Sequence, residues 1–208
     1  LCPLKSKDFA FKSLKGIRAR AGVYVYRDDD EKKELIGSDV GEVQLVADGI
    51  SGIPVFNVSA KVIRTLYEDD GNVSVYLDFL PDFSLDETRE LIRKYLKENM
   101  SVLDALRAFF VPALGEALLD KSHIRRDELT DSLDEKKVDW LCRIIKGFDC
   151  HITGHASFEN AQTTSGGIPL FELDHFLMSK KEDGLYFAGE AVDIDGICGG
   201  YNLSWAVI

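Results

Sequence analysis

The chain has 208 residues, 45% of them hydrophobic and 29% charged, with a formal net charge of −11. That length holds one large core or two modest ones, and the composition is that of a globular chain. The acidic balance argues against nucleic acid or an anionic membrane surface as the main partner. No apolar run approaches the ~18 residues of a membrane-spanning helix.

Leu1-Cys2-Pro3-Leu4 carries no initiator Met, no basic n-region and no signal-peptide core. The expectation is an internal piece of a larger soluble, cytoplasmic protein. Cys2, Cys142, Cys150 and Cys198 form no CxxC pair, which favours buried reduced thiols over a zinc site or a disulfide framework.

Residues 15–80 read as mostly β. Ile17, Ala19, Ala21, Val23 and Val25 alternate with Arg18, Arg20, Tyr24 and Tyr26, the period of a half-buried strand. Asp28 to Glu31 reads as a solvated turn, Leu35 to Ala47 as a second strand, and Val73, Val75, Leu77 and Phe79 as a third. Between them Ser51-Gly52-Ile53-Pro54 opens a helix with Val55, Val58, Val62 and Leu66 on one face. Short strands at this spacing predict a small antiparallel barrel.

Residues 84–147 read as helical. Ser84-Leu85-Asp86-Glu87 and Ser132-Leu133-Asp134-Glu135 both match the capping box, predicting N-caps at Ser84 and Ser132. The first helix is expected to reach about Asn99, with shorter helices starting at Ser101 and Pro112. The last buries Val138, Leu141, Cys142 and Ile145 and stops at Gly147. Phe148, Cys150 and Ile152 then return to strand alternation.

Most polar clusters have structural readings. Asp78, Asp82, Asp86 and Glu87 fall at a strand end and a helix N-terminus, where acids are favoured electrostatically. His151 and His155 share a face only on a helix, and they fall on a strand broken by Gly154, so no metal site is expected. Ser51 lies in Gly49-Ile50-Ser51-Gly52, one residue short of a nucleophile elbow, and no triad order supports it. No residue is assigned as catalytic acid or base.

The glycine segments near the end are different. Gly166-Gly167, Gly189-Glu190 and Gly199-Gly200 fall between apolar runs, where positions without side chains are otherwise costly, and so suggest a ligand cradle. Leu185 to Ala188 reads as a strand buried on both faces, closed by Gly189 with Glu190 at its carboxyl end. Tyr201 onward reads as an opening helix whose outward amides suit an anionic cofactor.

Gln162-Thr163-Thr164-Ser165-Gly166-Gly167-Ile168, Met178-Ser179-Lys180 and Gly184 through Glu190 together resemble the C-terminal signature of the BaiN-like family. Asp195-Gly196 and Gly199-Gly200-Tyr201-Asn202-Leu203-Ser204-Trp205-Ala206 continue that resemblance. These are bacterial NAD(P)/FAD-dependent flavoprotein oxidoreductases. Asp48 to Phe56 is similar to the family's Gly-Ile-Ser-Gly insert motif, and Leu1 to Leu4 to the end of its Pro-Ala-Leu-x-Pro-Leu segment.

The resemblance implies an α+β chain. Its insert domain, residues 1–162, would hold a small antiparallel β-barrel (about 1–80 and 148–162) with an inserted helical bundle (about 84–147). Residues 163–208 would form a partial α/β segment of an FAD-binding domain. It further implies that Gly189 and Glu190 approach the ribityl–pyrophosphate region of FAD. Gly199, Gly200, Tyr201 and Asn202 would sit beside pyrophosphate and flavin, and Thr164, Gly166 and Gly167 near the isoalloxazine. The longer protein would transfer hydride between NAD(P)H and a small organic substrate, without nucleic acid or membrane as partner.

There are departures. Met178 stands where the family commonly has Glu, and Asp48 where it has an aromatic residue or His. No Gly-x-Gly-x-x-Gly occurs, so the other pyrophosphate-binding turn is lacking and this chain alone is expected to hold FAD weakly. The competing expectation is a non-catalytic binding module that uses a strand face bearing Arg18, Tyr24 and Tyr26.

Overall fold

A computed structural model of the chain describes residues 1–8, 10–29, 32–67, 72–96 and 100–207. Strands β1 (Leu4–Ser6), β2 (Arg18–Asp29), β3 (Lys32–Val46), β4 (Gly49–Ser51), β5 (Asn72–Asp78), β6 (Phe148–Asp149) and β7 (Ile152–His155) form one antiparallel sheet. Their order is β6-β5-β2-β3-β4-β1-β7. β2 and β3 make a hairpin longer than the short strands expected, paired from Arg18↔Gln44 to Asp29↔Lys32 with a bulge at Ile36 that shifts the register between Val25 and Tyr26. The predicted alternation sets its faces: Ala21, Val23 and Val25 are fully buried, whereas Arg18 and Arg20 are exposed.

The two edge strands, β6 and β7, are separated in sequence only by Cys150 and His151. Two residues span too little distance to link the edges of a flat seven-stranded sheet, so the sheet must curl until they meet. No ladder joins β6 to β7, and the expected barrel is therefore incompletely closed. The break between them is at His151, with φ 40°, and not at Gly154, which lies within β7.

Helix α2 (Ile53–Tyr67) packs against β2, β3, β4, β5 and β7, as a helix embraced by a curled sheet must. Its apolar stripe is the predicted one, with Val55, Val58 and Val62 buried. The turn into it depends on Gly52 (φ 105°), where an added Cβ would lie 2.5 Å from the Glu42 carbonyl oxygen.

The other helices of the amino-terminal portion are α1 (Ala10–Ser13), α3 (Leu85–Tyr95), α4 (Val102–Leu106), α5 (Pro112–Lys121) and α6 (Glu135–Lys146). Ser84 caps α3 as predicted: its side chain accepts the Glu87 amide at 3.2 Å, and Glu87 accepts the Ser84 amide at 2.7 Å. Ser132 caps nothing. It ends a 3-10 turn (Thr130–Ser132) with its hydroxyl donated to the Leu129 carbonyl, while Asp134 caps α6 by accepting the Lys137 amide at 2.8 Å. Helix α3 stops at Tyr95 with Leu96 as C-cap; Asn99 and the turn residues Asp30 and Glu31 lie outside the described residues. Gly147 is the C-cap of α6 but has φ −154°, so no left-handed backbone requires it.

One apolar core runs from the sheet into the helices. Phe79 joins the two, its ring edge-on to Phe148 at 5.6 Å and to Phe110 at 6.5 Å. Each acid of the 78–87 cluster has a structural partner. Asp78 pairs with Lys146 at 2.6 Å, Asp82 with Arg20 at 2.7 Å and Asp86 with Arg89 at 2.5 Å, and Glu87 completes the capping box. Buried Glu128 pairs with Lys137 at 2.5 Å, which holds its carboxyl below the usual range. Cys2, Cys142 and Cys150 are buried, and desolvation raises the Cys142 thiol to about 11.

After Thr163 regular structure thins. The expected buried strand Leu185–Ala188 is absent: Leu185 and Tyr186 are 44% and 61% exposed, and only Tyr186 bridges, to Met178. A strand buried on both faces needs two neighbours. Among the described residues this segment has one flank only, the short antiparallel pairing with Leu177–Ser179. The only parallel pairing among the described residues of the tail is the bridge Ile168↔Val192, and one helix, α7 (Tyr201–Val207), follows.

Candidate functional site

The tail folds back on itself and on the barrel through backbone groups. Ile168 donates its amide to the Ala191 carbonyl at 2.9 Å, and Asp193 donates to the Ile168 carbonyl at 3.0 Å. This pairing lays the Thr163–Gly167 turn beside the 3-10 turn Gly189–Ala191. At Gly167 (φ 137°) a Cβ would come 2.7 Å from the Ala191 carbonyl oxygen, so close backbone approach explains that glycine without a ligand. The Gly166 amide donates to Asp193 at 3.1 Å, and the Ser165 hydroxyl to Asp195.

The second glycine loop is held from both sides. Asn202 grips Gly196, accepting its amide at 2.7 Å and donating to its carbonyl at 3.0 Å. The Cys198 amide donates to Asn57 Oδ1 on α2 at 2.8 Å, and Asn57 Nδ2 donates to Asp39 at 2.6 Å. Trp205 on α7 donates its indole N–H to the Gly189 carbonyl at 3.2 Å. Leu1 closes the set: its amino group donates to the Thr163 carbonyl at 3.0 Å, and its carbonyl accepts from Gln162 at 2.8 Å.

These contacts leave a cleft of about 580 Å³, within the usual range for a cofactor or small ligand. Gly189, Glu190, Gly199, Gly200 and Asn202 line it, joined by Leu1, Gln162, Thr163 and Cys198. Thr164 and Gly166 line a narrow crevice that shares Glu190 and Asn202 with the cleft. Gly167 lies behind, against the Ala191 backbone. Tyr201 is 61% exposed and turned away, its ring beside Gly199 and its Cβ over Gly196.

The cleft suits a ligand that needs backbone close by. Gly200 (φ 91°) and Gly166 (φ 109°) both have left-handed backbone with nothing within 4 Å of where a Cβ would project. Side chains there would fill open space that the glycines leave free. Helix α7 has only seven residues and carries little macrodipole, so the loop offers amides and room more than a helix field. Among the described residues no group of three or more His, Cys, Asp or Glu could hold a metal ion, and no helix is long and apolar enough to cross a membrane.

Sequence reasoning missed Asn57, Gln162, Cys198 and Trp205. Asn57 had no local signal, since its role depends on α2 facing the tail. Cys198, expected to be buried like the other three thiols, is half-buried, and its sulfur lies 3.3 Å from Gln162 Oε1.

A family model described as HI0933-like protein barrel and H2TH domain matches residues 1–163. The chain is 35% identical over 209 residues to the 3-dehydro-bile acid delta(4,6)-reductase of Clostridium scindens, covering 99% of this chain and 50% of that protein. It is 28% identical over 162 residues to the ribosomal RNA dihydrouridine synthase of Haemophilus influenzae. To that of Escherichia coli it is 30% identical over 159 residues. Each of these two alignments covers 76% of this chain, and 37% or 38% of the relative. The chain thus spans half or less of the length of these curated relatives. It belongs to the HI0933-like, BaiN-like family of flavoprotein oxidoreductases.

Proposed function

We propose that this chain supplies the barrel, the helices and one cofactor wall of an FAD-dependent reductase that draws hydride from NAD(P)H. The observation that carries the reading is the convergence of Gly189-Glu190 and Gly199-Gly200 on one cleft of about 580 Å³. In this reading Gly199 and Gly200 let backbone approach the pyrophosphate, and the Glu190 carboxylate accepts hydrogen bonds from ribityl hydroxyls. Thr164 and Gly166 border the ring system, and Gln162 and Thr163 exclude water from its edge. When bound, the flavin supplies the hydride chemistry, and the protein supplies position and surroundings.

The reading includes the reduction of a ring double bond in a small organic substrate. The relatives, a delta(4,6)-reductase and two ribosomal RNA dihydrouridine synthases, are all named for products or reactions in which a double bond is saturated. A uridine of RNA is the second reading, favoured by two of those names. The net charge of −11 weighs against an RNA-binding surface on this chain.

The test is the visible spectrum of the purified longer protein that carries this chain. Flavin bands that bleach on adding NADPH under nitrogen are expected, and Gly200→Val should strip the flavin by placing a branched side chain where backbone meets cofactor. The isolated chain should bind added FAD at least an order of magnitude more weakly. In this reading the longer protein adds a second glycine turn whose charge-assisted contacts to pyrophosphate are worth about 1.5–3 kcal/mol each. A longer protein that stays colourless after FAD is added sinks the proposal and restores the non-catalytic module.

A further inference from the structure

Helix α2 has two faces. Val55, Val58 and Val62 enter the core, while Ala60, Ile63, Arg64 and Tyr67, at helical spacing, occupy the opposite side. That second face is one wall of a pocket of about 220 Å³. The facing wall comes from the chain after β7, with Ala156, Phe158 and Ala161. Tyr67 stands edge-on to His155 at 5.6 Å beside it. Phe158, 80% exposed, is held in the solvent at the mouth. Leu1 and Thr163 belong both to this pocket and to the glycine cleft, so the two adjoin.

Arg64 marks this pocket chemically. Eight of the ten arginines form ion pairs with Asp or Glu, and Arg27 is engaged as well. Arg64 alone has no hydrogen bond or ion pair among the described residues, although the chain has 36 acids against 25 Lys and Arg. It is exposed and lines the pocket. A guanidinium presents a planar fork that matches a carboxylate with two parallel hydrogen bonds. Beside it the walls are mostly aliphatic and aromatic, with Ser157, Thr164 and Ser165 along one side, which rewards a rigid apolar body.

We infer that this pocket binds an apolar carboxylate, with its ring body between Ile63 and Phe158 and its carboxylate on Arg64. Given the flavin reading of the adjoining cleft, on which its role as a substrate rests, the pocket is where the molecule to be reduced is held. Anchoring at Arg64 fixes one end of the ligand, and the shared border at Leu1 and Thr163 points the other toward the cleft. The apolar walls give affinity, and the Arg64 guanidinium gives orientation.

The test is calorimetric titration of the 208-residue chain with 2-naphthoate and with its neutral amide, 2-naphthamide. The carboxylate is expected to bind about tenfold or more tightly than the amide, the effect of one charge-assisted pair. Arg64→Gln should abolish that preference and Arg64→Lys retain part of it; both changes lie on an exposed position and should leave the unfolding curve unchanged. Ala60→Phe, which fills the apolar part, should weaken both ligands. Equal affinity for acid and amide, an unaltered carboxylate affinity in Arg64→Gln, or no binding of either compound would each overturn the inference. Flavin uptake by the longer protein is read separately. Naphthoate binding without FAD uptake keeps the pocket and sinks the flavin reading, whereas FAD uptake without naphthoate binding sinks the pocket alone.

Discussion

Ser84 and Ser132 head the same four-residue pattern, yet only one of them caps a helix. At Ser84 the chain enters α3 directly, and both reciprocal bonds form. At Ser132 a second competent cap, Asp134, lies two residues on, and a 3-10 turn takes the serine hydroxyl instead. Ser84→Ala and Asp134→Ala should each cost about 1 kcal/mol, because a helix-end amide loses its acceptor. Ser132→Ala should cost under ~0.5 kcal/mol, since its hydroxyl serves a turn and makes only a long 3.5 Å contact with Glu128. Urea midpoints of the three variants check this, and a Ser132 variant as damaged as the other two would contradict the assignment. The pattern alone could mark the start of α6 only to within two residues. Ser, Asp and Glu are all good near a helix start, and the choice among them belongs to the backbone around them.

At the scale of elements, the sequence spoke clearly wherever a period could be counted. The β2 alternation, the α2 stripe and the Pro112 start of α5 all follow from local spacing. Leu185 to Ala188 misled because an apolar run shows only that burial would be favourable, and burial needs neighbours that a sequence does not display. Asn57 was invisible for a related reason. Its amide joins β3, α2 and the Cys198–Gly200 loop, elements that meet only once the sheet has curled. Asn57 is therefore expected to act as a positioning residue for that loop. Asn57→Ala should raise hydrogen exchange at the amides around Cys198 and lower FAD occupancy of the longer protein. The effect on global stability should stay within about 2 kcal/mol, the worth of the two hydrogen bonds lost. Unchanged exchange at the loop would show that other contacts hold it.

The whole molecule divides unevenly between a packed core and a tail that lies over it. Among the described residues, the buried apolar side chains come almost entirely from the segment before Thr163, with only Leu173 and Val192 beyond it. The tail instead leaves Phe171, Phe176, Leu203 and Val207 more than two-thirds exposed. Its hold on the barrel comes from a few polar links, chiefly Leu1 to Thr163 and Cys198 to Asn57. Since burial of apolar area is the main favourable term in folding, residues 1–163 should carry most of the stability themselves. A chain ending at Thr163 is therefore expected to unfold in one cooperative urea transition, within about 2 kcal/mol of the 208-residue chain. It should also have lost the glycine cleft, and with it any response to FAD. Removing exposed phenylalanine and leucine side chains should make it the more soluble of the two. A broad transition or a large fall in midpoint would mean that the tail completes the core after all. That result would make residues 164–207 part of the folding unit, and the cleft a seam inside one domain where we describe a wall laid on another.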